Sequence, residues 1–361
     1  MSIDGRLLSC YTAAVAAYLD LRGRDWWADI ASQLYLAIRD HEEAVAFVHY
    51  HRGLGGRRSS TTGLMPTGLM PTGSDHELEV LQRVAAECAA RGAVICVGDT
   101  FNLPWSVAHG VRSAPHWFVV SGLDQQGRIK VTDEFAYSDD TGEQMPFDAW
   151  FPFEQLPRLL RRCEHHSKTQ RSQERFALGV AAPSAPRFAF QWLALAEEVP
   201  LQPSGFEPLL RQTLDHMTGR ARRADLTDFA QGLDATRRLA ELIEQGLDRP
   251  EFYQISNDVW VAGRTRELFA AWLRRMGSLG RDPRLLGIGE WLDAELVAQW
   301  HLLPRLMRIN AAGLSRGRPA RRALAEVARL IVEREVEAVQ RLDNWLSSRP
   351  ASAWTLPGAE T

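Results

Sequence analysis

The sequence predicts an α+β N-terminal domain followed by an all-helical C-terminal domain. The chain has 361 residues, more than twice the ~150 residues of a typical domain, so two domains are expected. Strand and helix patterns alternate up to the polar stretch 164–172, whereas beyond about Phe188 long segments carry helical spacing alone. The predicted boundaries are 1–165 for the first domain, 166–187 for a linker and 188–361 for the helical domain.

Composition limits the classes of protein to consider. Hydrophobic residues make up 45% of the chain and charged residues 24%, which is ordinary for a globular protein. The net charge of −3, from 42 basic and 45 acidic residues, excludes a nucleic-acid binder that works through bulk positive charge. No apolar run reaches the ~18 residues of a membrane helix. Asp4 and Arg6 interrupt the apolar stretch before Cys10 that an export signal needs. We therefore expect a cytoplasmic protein without membrane or nucleic-acid partners.

Cysteine and histidine spacing gives no sign of a metal site. The four cysteines are spread along the chain without a CxxC pair: Cys10, Cys88, Cys96 and Cys163. This argues against a disulfide framework or a zinc-thiolate site and indicates a reducing compartment. The histidine pairs at positions 49 and 51 and at positions 165 and 166 match no recognisable metal-ligand pattern. The glycine-rich stretch 53–58 lacks the Lys-Ser/Thr of a phosphate loop. No metal and no cofactor are predicted.

The first elements follow from local patterns. Apolar residues recur at helical spacing from Cys10 to Leu21, and Gly23 ends that helix. A second helix is predicted over 26–39 and a strand over Ala44–Tyr50. A loop over 52–73 contains a tandem copy of Thr-Gly-Leu-Met-Pro, which is either a tolerated insertion or an apolar lid over a cleft.

A capping box and a hairpin define the rest of the first domain. Ser74 and Glu77 have the spacing of a capping box and predict a helix as far as Arg91, stopped by Gly92. Ala93–Val97 reads as a buried strand. Two strands follow in a hairpin whose loop is 124–127, namely His116–Leu123 and Arg128–Asp133.

The second domain is predicted from helical spacing alone. Its tryptophans lie at positions typical of a helical core rather than of a binding site. The predicted helices are 207–223, 226–246, 252–276, 289–312 and 319–347.

Three residues form the strongest candidate for catalysis: Cys10, His116 and Asp133. A cysteine nucleophile works as the thiolate, and the start of a helix favours that charge. Such a site also needs a histidine to take the thiol proton and an acid to orient that histidine. His116 opens one strand of the hairpin and Asp133 closes the other, so the two strand ends should lie side by side.

Each candidate has an alternative. Strand alternation puts Asp133 on the apolar face with Ile129 and Val131, which favours it over Glu134. The loop histidine His109 is a rival base. Cys10 also fits the description of a small buried hydrophobe, as most free cysteines are, and His116 that of a hydrogen-bonded histidine at a strand end.

The order of these residues resembles two groups of papain-like folds. One is the bacteriocin-leader (double-glycine) peptidases, in which a cysteine helix precedes a histidine strand and then an aspartate strand. The sequence is more similar to the N-terminal domain of the butirosin-biosynthesis acyltransferase family, on three features: the early Cys10, the segment Asp99–Trp105, and the strand 116–122 followed by Asp133. The resemblance covers roughly residues 5–165 and implies a papain-like catalytic domain followed by a helical region.

The resemblance implies acyl transfer. The enzyme would take an acyl group from the phosphopantetheine thioester of an acyl carrier protein onto Cys10 and pass it to an amine of a small-molecule acceptor, in secondary-metabolite biosynthesis. His116 would be the general base and then acid, and Asp133 its orienting partner. Alternatives are a thioesterase or cyclase, a cysteine peptidase, and a non-catalytic papain-like binding module.

The sequence differs from that of papain-like peptidases in the residues that would form the oxyanion hole. Such peptidases usually place a glutamine shortly before the cysteine, and residues 1–9 contain no Gln or Asn. The Cys10 backbone N–H is one candidate donor and Asn102 a second. A thioester is already activated, so the missing glutamine disfavours peptide cleavage more than acyl transfer.

Overall fold

The computed structural model describes residues 3–41, 44–50, 69–139, 142–161, 188–195, 205–246, 255–314, 316 and 321–348. Two compact units share these residues. The first unit comprises Met1–Ile30 and Arg52–Leu201, and the second comprises Ala31–His51 and Gln202–Thr361.

The described residues form nine α-helices and eleven strands, besides short 3-10 and π segments. In chain order the helices are α1 (Cys10–Leu21), α2 (Glu77–Arg91), α3 (Leu156–Leu160), α4 (Phe206–Met217), α5 (Leu233–Gly246), α6 (Ser256–Leu279), α7 (Pro283–Trp291), α8 (Ala298–Leu314) and α9 (Arg321–Ser347). The strands are β1 (Leu34–His41), β2 (Ala44–Tyr50), β3 (Leu69–Ser74), β4 (Ala93–Asp99), β5 (Pro115–Leu123), β6 (Arg128–Asp133), β7 (Tyr137–Asp139), β8 (Gly142–Gln144), β9 (Phe147–Pro152), β10 (Phe190–Leu195) and β11 (Ala230–Gln231).

The first unit is built on a six-stranded antiparallel sheet in the order β3-β10-β4-β5-β6-β9. Its inner strand β4 is buried along its whole length. Successive side chains of β5 point to opposite faces. Trp117 meets Tyr11 of α1 edge to face, at 5.6 Å between ring centroids. Phe118 belongs to the hydrophobic cluster that α2 and α3 cover. The sheet therefore lies between α1 on one face and α2 and α3 on the other.

The N-terminal segment is tied to the chain that leaves β6. Gly5 is buried and accepts a hydrogen bond from the Ala136 backbone N–H at 3.4 Å. A Cβ at Gly5 would lie 1.7 Å from the carbonyl oxygen of Glu134. Only a glycine allows this approach, which holds the residues before α1 against the end of the strand that carries Asp133.

Substitution of Gly5 by alanine should therefore displace the segment that leads into α1. We expect Gly5→Ala to lower the free energy of unfolding by about 1–3 kcal/mol, because a backbone carbonyl cannot move aside as a side-chain tip can. Urea unfolding measures this. Gly287→Ala is the matched control, since its Cβ would meet nothing within 4 Å. An equal effect of both substitutions would contradict the close approach at Gly5.

The second unit is not all-helical, which corrects the prediction. It contains a three-stranded antiparallel sheet in the order β11-β1-β2 as well as the helices from α4 to α9. The helix predicted over 26–39 was wrong beyond residue 31, because only Trp27–Ala31 forms a short π-helical segment. Leu34–His41 is a strand because it pairs with β2 on one side and with the distant β11 on the other. Tyr35 reinforces that second pairing by donating to Gln231 Oε1 at 2.6 Å.

The predicted domain boundaries also differ from the two units. Residues 31–51 belong to the second unit through that sheet. Phe190–Leu195 was assigned to the helical domain, but it forms β10 between β3 and β4 and lies in the first unit. The predicted linker 166–187 and the polar stretch 164–172 lie outside the described residues, as does most of the tandem repeat.

Three tryptophans in the helical part of the second unit are core residues as predicted, whereas Trp260 and Trp291 are only partly buried. Trp272, Trp300 and Trp345 are each at most 2% exposed. Phe206 of α4 packs against both Trp272 and Trp345. Within the part of the chain that the structure covers, no helix is both long and apolar enough to cross a membrane.

Candidate active site

Cys10 is the first residue of α1. Ser9 caps the helix: its hydroxyl accepts from the Thr12 backbone N–H at 3.3 Å, and the Thr12 hydroxyl accepts from the Ser9 backbone N–H at 2.9 Å. These two bonds use the N–H groups of Ser9 and Thr12 and leave that of Cys10 without a partner among the described residues. Cys10 is partly exposed. It thus combines access from solvent with the positive end of a helix dipole.

His116 and Asp133 lie at the ends of neighbouring strands. In the β5–β6 pair Val119 lies opposite Thr132, which brings the start of β5 next to the end of β6. The His116 Nε2 atom is 2.7 Å from Asp133 Oδ2. Both side chains are buried, at 3% and 1% exposure. The parity argument placed Asp133 inward, and β6 shows that alternation, with Ile129, Val131 and Asp133 buried.

The Cys10 side chain lies close enough to the His116 imidazole to raise the pKa of that ring. Since Nε2 is engaged by Asp133, Nδ1 is the nitrogen left to face the sulfur. Burial lowers the pKa of His116, but the charge and hydrogen bond of Asp133, and then the sulfur of Cys10, outweigh it and raise this pKa to about 10. The imidazole is therefore protonated at neutral pH. An imidazolium next to the sulfur favours the thiolate, the form that attacks carbonyl carbon.

Asp133 is held by more than the histidine. Its Oδ2 also accepts from the Trp105 indole at 2.8 Å and from the Gln144 amide at 3.2 Å, and its Oδ1 accepts from the Phe135 backbone N–H at 3.0 Å. Gln144 is buried. Four donors thus fix both oxygens of one buried carboxylate, and the orientation of His116 follows from them.

The sequence analysis missed Trp105 and Gln144 as members of this site. Trp105 stood within the segment 99–105 that carries the family resemblance, which is a signal for its importance but not for its contact with Asp133. Its ring stacks on Phe147 at 4.6 Å between centroids. Gln144 lies in β8, in the short hairpin after β6, and no local pattern marks it.

Replacement of Trp105 by phenylalanine should keep the aromatic packing and remove one donor to Asp133. We expect Trp105→Phe to slow modification of Cys10 by iodoacetamide about 3–10-fold at neutral pH, because a less firmly held carboxylate orients the imidazole less well. The rate is measured by peptide mapping against time. Trp150→Phe is the control, since Trp150 is a partly exposed aromatic residue of the same sheet that makes no contact with Asp133. A rate unchanged by Trp105→Phe would show that this indole does not support the site.

The other described cysteines differ from Cys10. Burial raises the pKa of Cys88 to about 11, and it raises that of Cys96 well above its ordinary range. Both belong to the hydrophobic cluster of the first unit. Neither is a nucleophile at neutral pH. Cys163 lies outside the described residues.

The rival residues lie elsewhere. His109 is exposed on the loop between β4 and β5. Glu134 is half-buried, and burial followed by the charges of Asp148 and Asp133 raises its pKa, but it does not pair with His116. The Asn102 amide donates to the Arg161 carbonyl at 2.7 Å, so it joins two segments of backbone rather than standing free as an oxyanion donor.

No described part of the chain gathers a metal site: no three His, Cys, Asp or Glu side chains come together as a metal ion would need. His49 is buried in the second unit, 3.7 Å from Asp258. The histidines at 51, 165 and 166 and the glycine-rich stretch 53–58 lie outside the described residues.

No protein-family model matches the chain, and no curated protein matches it significantly. The geometry around Cys10 is therefore the basis for any statement about function. A helix-terminal cysteine in contact with a buried His-Asp pair can carry out nucleophilic attack on a carbonyl carbon, proton transfer to a leaving group, and release of the acyl group to a second nucleophile.

Proposed function

We propose that the protein is a cysteine-dependent acyltransferase that takes an acyl group from the thioester of an acyl carrier protein and passes it to an amine. The observation that carries this proposal is the chain of contacts from Cys10 to His116 and from His116 to Asp133, at the start of a helix. The resemblance in residues 5–165 to the butirosin-biosynthesis acyltransferase family supports the choice of a thioester as donor and implies a papain-like fold.

The first half-reaction transfers the acyl group to Cys10. The Cys10 thiolate attacks the thioester carbon and forms a tetrahedral intermediate. The Cys10 backbone N–H is free to donate to its oxyanion. When the intermediate collapses, the carbon–sulfur bond to the carrier breaks and the His116 imidazolium gives its proton to the departing thiolate. One thioester replaces another, so no external energy source is required.

The second half-reaction releases the acyl group to the acceptor. The acceptor amine attacks the acyl-Cys10 carbon, and the now neutral His116 takes the proton that the amine loses. Collapse of this intermediate forms the amide and expels the Cys10 thiolate, which again pairs with the imidazolium. Asp133 keeps its orientation throughout, because Trp105 and Gln144 hold it independently of His116.

Two features favour a thioester over a peptide as the donor. A thioester has a good leaving group, so one oxyanion donor from the backbone suffices more readily than for an amide. Residues 1–9 supply no amide side chain as a further donor. Asn102, the other candidate, is engaged with Arg161.

Intact-mass spectrometry tests the proposal. After the protein is mixed with a short-chain acyl carrier thioester, we expect its mass to rise by one acyl group, and we expect no rise for Cys10→Ala. Addition of a primary amine should discharge the adduct as an amide. Discharge by water alone would indicate a thioesterase. Cleavage of a peptide without acylation would indicate a peptidase, and the absence of both acylation and selective Cys10 labelling would indicate a binding module.

A further inference from the structure

The loop between β4 and β5, residues 100–114, has two different sides. On the inner side Leu103 and Ala108 are buried, and Trp105 reaches Asp133. On the outer side Phe101 is 46% exposed and Val111 is 83% exposed. The loop leads into β5, the strand that carries His116.

Hydrogen bonds bring the two exposed apolar residues together. The Gly110 backbone N–H donates to the Phe101 carbonyl at 3.0 Å, and the Thr100 hydroxyl donates to the Arg112 carbonyl at 2.7 Å. These bonds close the loop at its base, so that the Phe101 backbone lies next to Gly110, the residue before Val111. The bond from Asn102 to Arg161 adds the end of α3 to the same region.

Among the residues that the structure describes, the exposed charged side chains of this surface are cationic, and Asp99, which precedes the loop, is buried and accepts from the Phe101 backbone N–H. Residues 100–114 contain no Asp or Glu. Arg112 and Arg161 are exposed, and neither forms an ion pair with any part of the chain that the structure describes. We call Phe101, Val111, Arg112 and Arg161 the loop surface. An exposed apolar centre with a cationic rim is complementary to an acidic protein that has an apolar patch.

A second apolar surface of the first unit does not share these properties. Leu123 and Trp150 are 50% and 42% exposed, and Arg128 lies over the Trp150 ring. The cations there are neutralised, because Arg128 pairs with Asp124, and Lys130 pairs with an aspartate of β9. That surface also lies at the end of β5 away from His116.

We infer that the loop surface is the docking site for the protein that delivers the acyl group. This inference rests on the proposed function. The partner is an acidic acyl carrier protein whose apolar patch covers Phe101 and Val111 and whose carboxylates meet Arg112 and Arg161. Docking there brings the carrier to the loop whose Trp105 holds Asp133.

A comparison of two donors with the same acyl group tests this inference. One donor is an acyl carrier thioester and the other is the acyl thioester of pantetheine, which has no protein surface. We expect Val111→Asp and Arg112→Glu each to slow acylation of Cys10 by the carrier about 10-fold or more. Acylation by the pantetheine thioester should stay within about 2-fold of wild type. Higher salt should weaken the carrier reaction alone.

Matched control variants come from α2. Leu78 is 68% exposed, and Arg83 pairs with Glu79 on the same helix. Leu78→Asp and Arg83→Glu make the same chemical changes away from the loop and should leave both donors unaffected. Equal slowing of both donors by Val111→Asp, or no slowing of the carrier by either loop variant, would overturn the docking site while the proposed function stands. Failure of both donors to acylate the wild-type protein would overturn both.

Discussion

Replacement of His116 by alanine should lower the rate of Cys10 acylation from a pantetheine thioester by about 10³–10⁴-fold. The substitution removes the imidazolium that stabilises the thiolate and the proton that the leaving thiolate receives. Alanine leaves Asp133 with its bonds from Trp105, Gln144 and the Phe135 backbone, so the carboxylate stays hydrogen-bonded. The rate is measured by quenched-flow mixing followed by intact-mass detection of the acyl adduct.

The pH profile of alkylation gives an independent readout of the same contact. Burial lowers the pKa of His116, but the interactions with Asp133 and then Cys10 outweigh it and raise this pKa to about 10. Wild-type Cys10 therefore faces an imidazolium throughout the neutral range. Iodoacetamide should therefore modify Cys10 faster in the wild type than in His116→Ala. This advantage should be largest at low pH, where an ordinary thiol is not ionised. Cys88, whose pKa is raised to about 11, is an internal reference that should stay unmodified.

His109→Ala is the control for this experiment. His109 is an exposed histidine seven residues before His116, on the adjoining loop. Removal of the His109 side chain tests whether an imidazole other than that of His116 supports the reactivity of Cys10. Loss of the low-pH advantage in His109→Ala, together with its retention in His116→Ala, would assign the proton acceptor to the loop and contradict the geometry described above.

The parts of the site that the sequence predicted are those set by neighbours along the chain. Ser9 before an apolar helical pattern located the start of α1 at Cys10, and the structure has that boundary. Period-two alternation in β6 separated Asp133 from Glu134, because one face of a strand is buried and the other is not. The predicted hairpin is confirmed because its loop length fixes which residues can pair.

The parts that were missed depend on partners far away in the chain. Leu34–His41 contains helix-compatible residues, and only its pairing with β2 and β11 makes it a strand. Phe190–Leu195 becomes a strand because β3 and β4 offer free edges on both sides. The helix or strand propensity of a segment does not depend on distant strands, so pairing with those strands can override it.

Helix capping shows the same limit on a smaller scale. Ser74 and Glu77 have capping-box spacing, but the N-cap residue of α2 is His76. The Ser74 hydroxyl accepts from the His76 backbone N–H rather than from an N–H of the helix. The Ser74 hydroxyl donates to Glu79, one turn further on. Ser74 is also paired in β3, which draws its backbone away from the cap position. The element was predicted correctly and its cap was not.

Replacement of Asp133 by asparagine should lower the acylation rate by about 10³-fold or more and also change how stability depends on pH. Both oxygens of Asp133 accept hydrogen bonds, whereas an asparagine amide has one oxygen and one NH2 group. Its NH2 group therefore faces either the Phe135 backbone N–H or the three donors that now meet Oδ2. The imidazole then loses its orientation as well as the charge that keeps it protonated. The acylation assay used for His116→Ala measures the rate.

The sign of the stability effect follows from the pKa of His116, which is about 10 in the folded chain against an ordinary value of 6.5. Below about pH 6.5 the histidine is protonated in both the folded and the unfolded chain, and the full stabilisation is present. Between 6.5 and 10 the unfolded chain releases its proton while the folded chain keeps it, so this stabilisation falls as the pH rises, and above 10 it is lost. In Asp133→Asn burial dominates and lowers the pKa of His116, so stability should no longer fall over this range.

The free energy of unfolding in urea, measured for both proteins at pH 6 and pH 9, tests this argument. We expect the wild-type advantage over Asp133→Asn to be larger at pH 6 than at pH 9, by on the order of a few kcal/mol. Both proteins carry Cys10→Ala for this measurement, so that the thiol contributes nothing to the difference. Asp148→Asn serves as the control, because that aspartate is exposed and pairs with Lys130 rather than with a histidine. If the difference in the free energy of unfolding between wild type and Asp133→Asn were the same at both pH values, Asp133 would not keep His116 protonated. The argument that His116 favours a Cys10 thiolate would then fail as well.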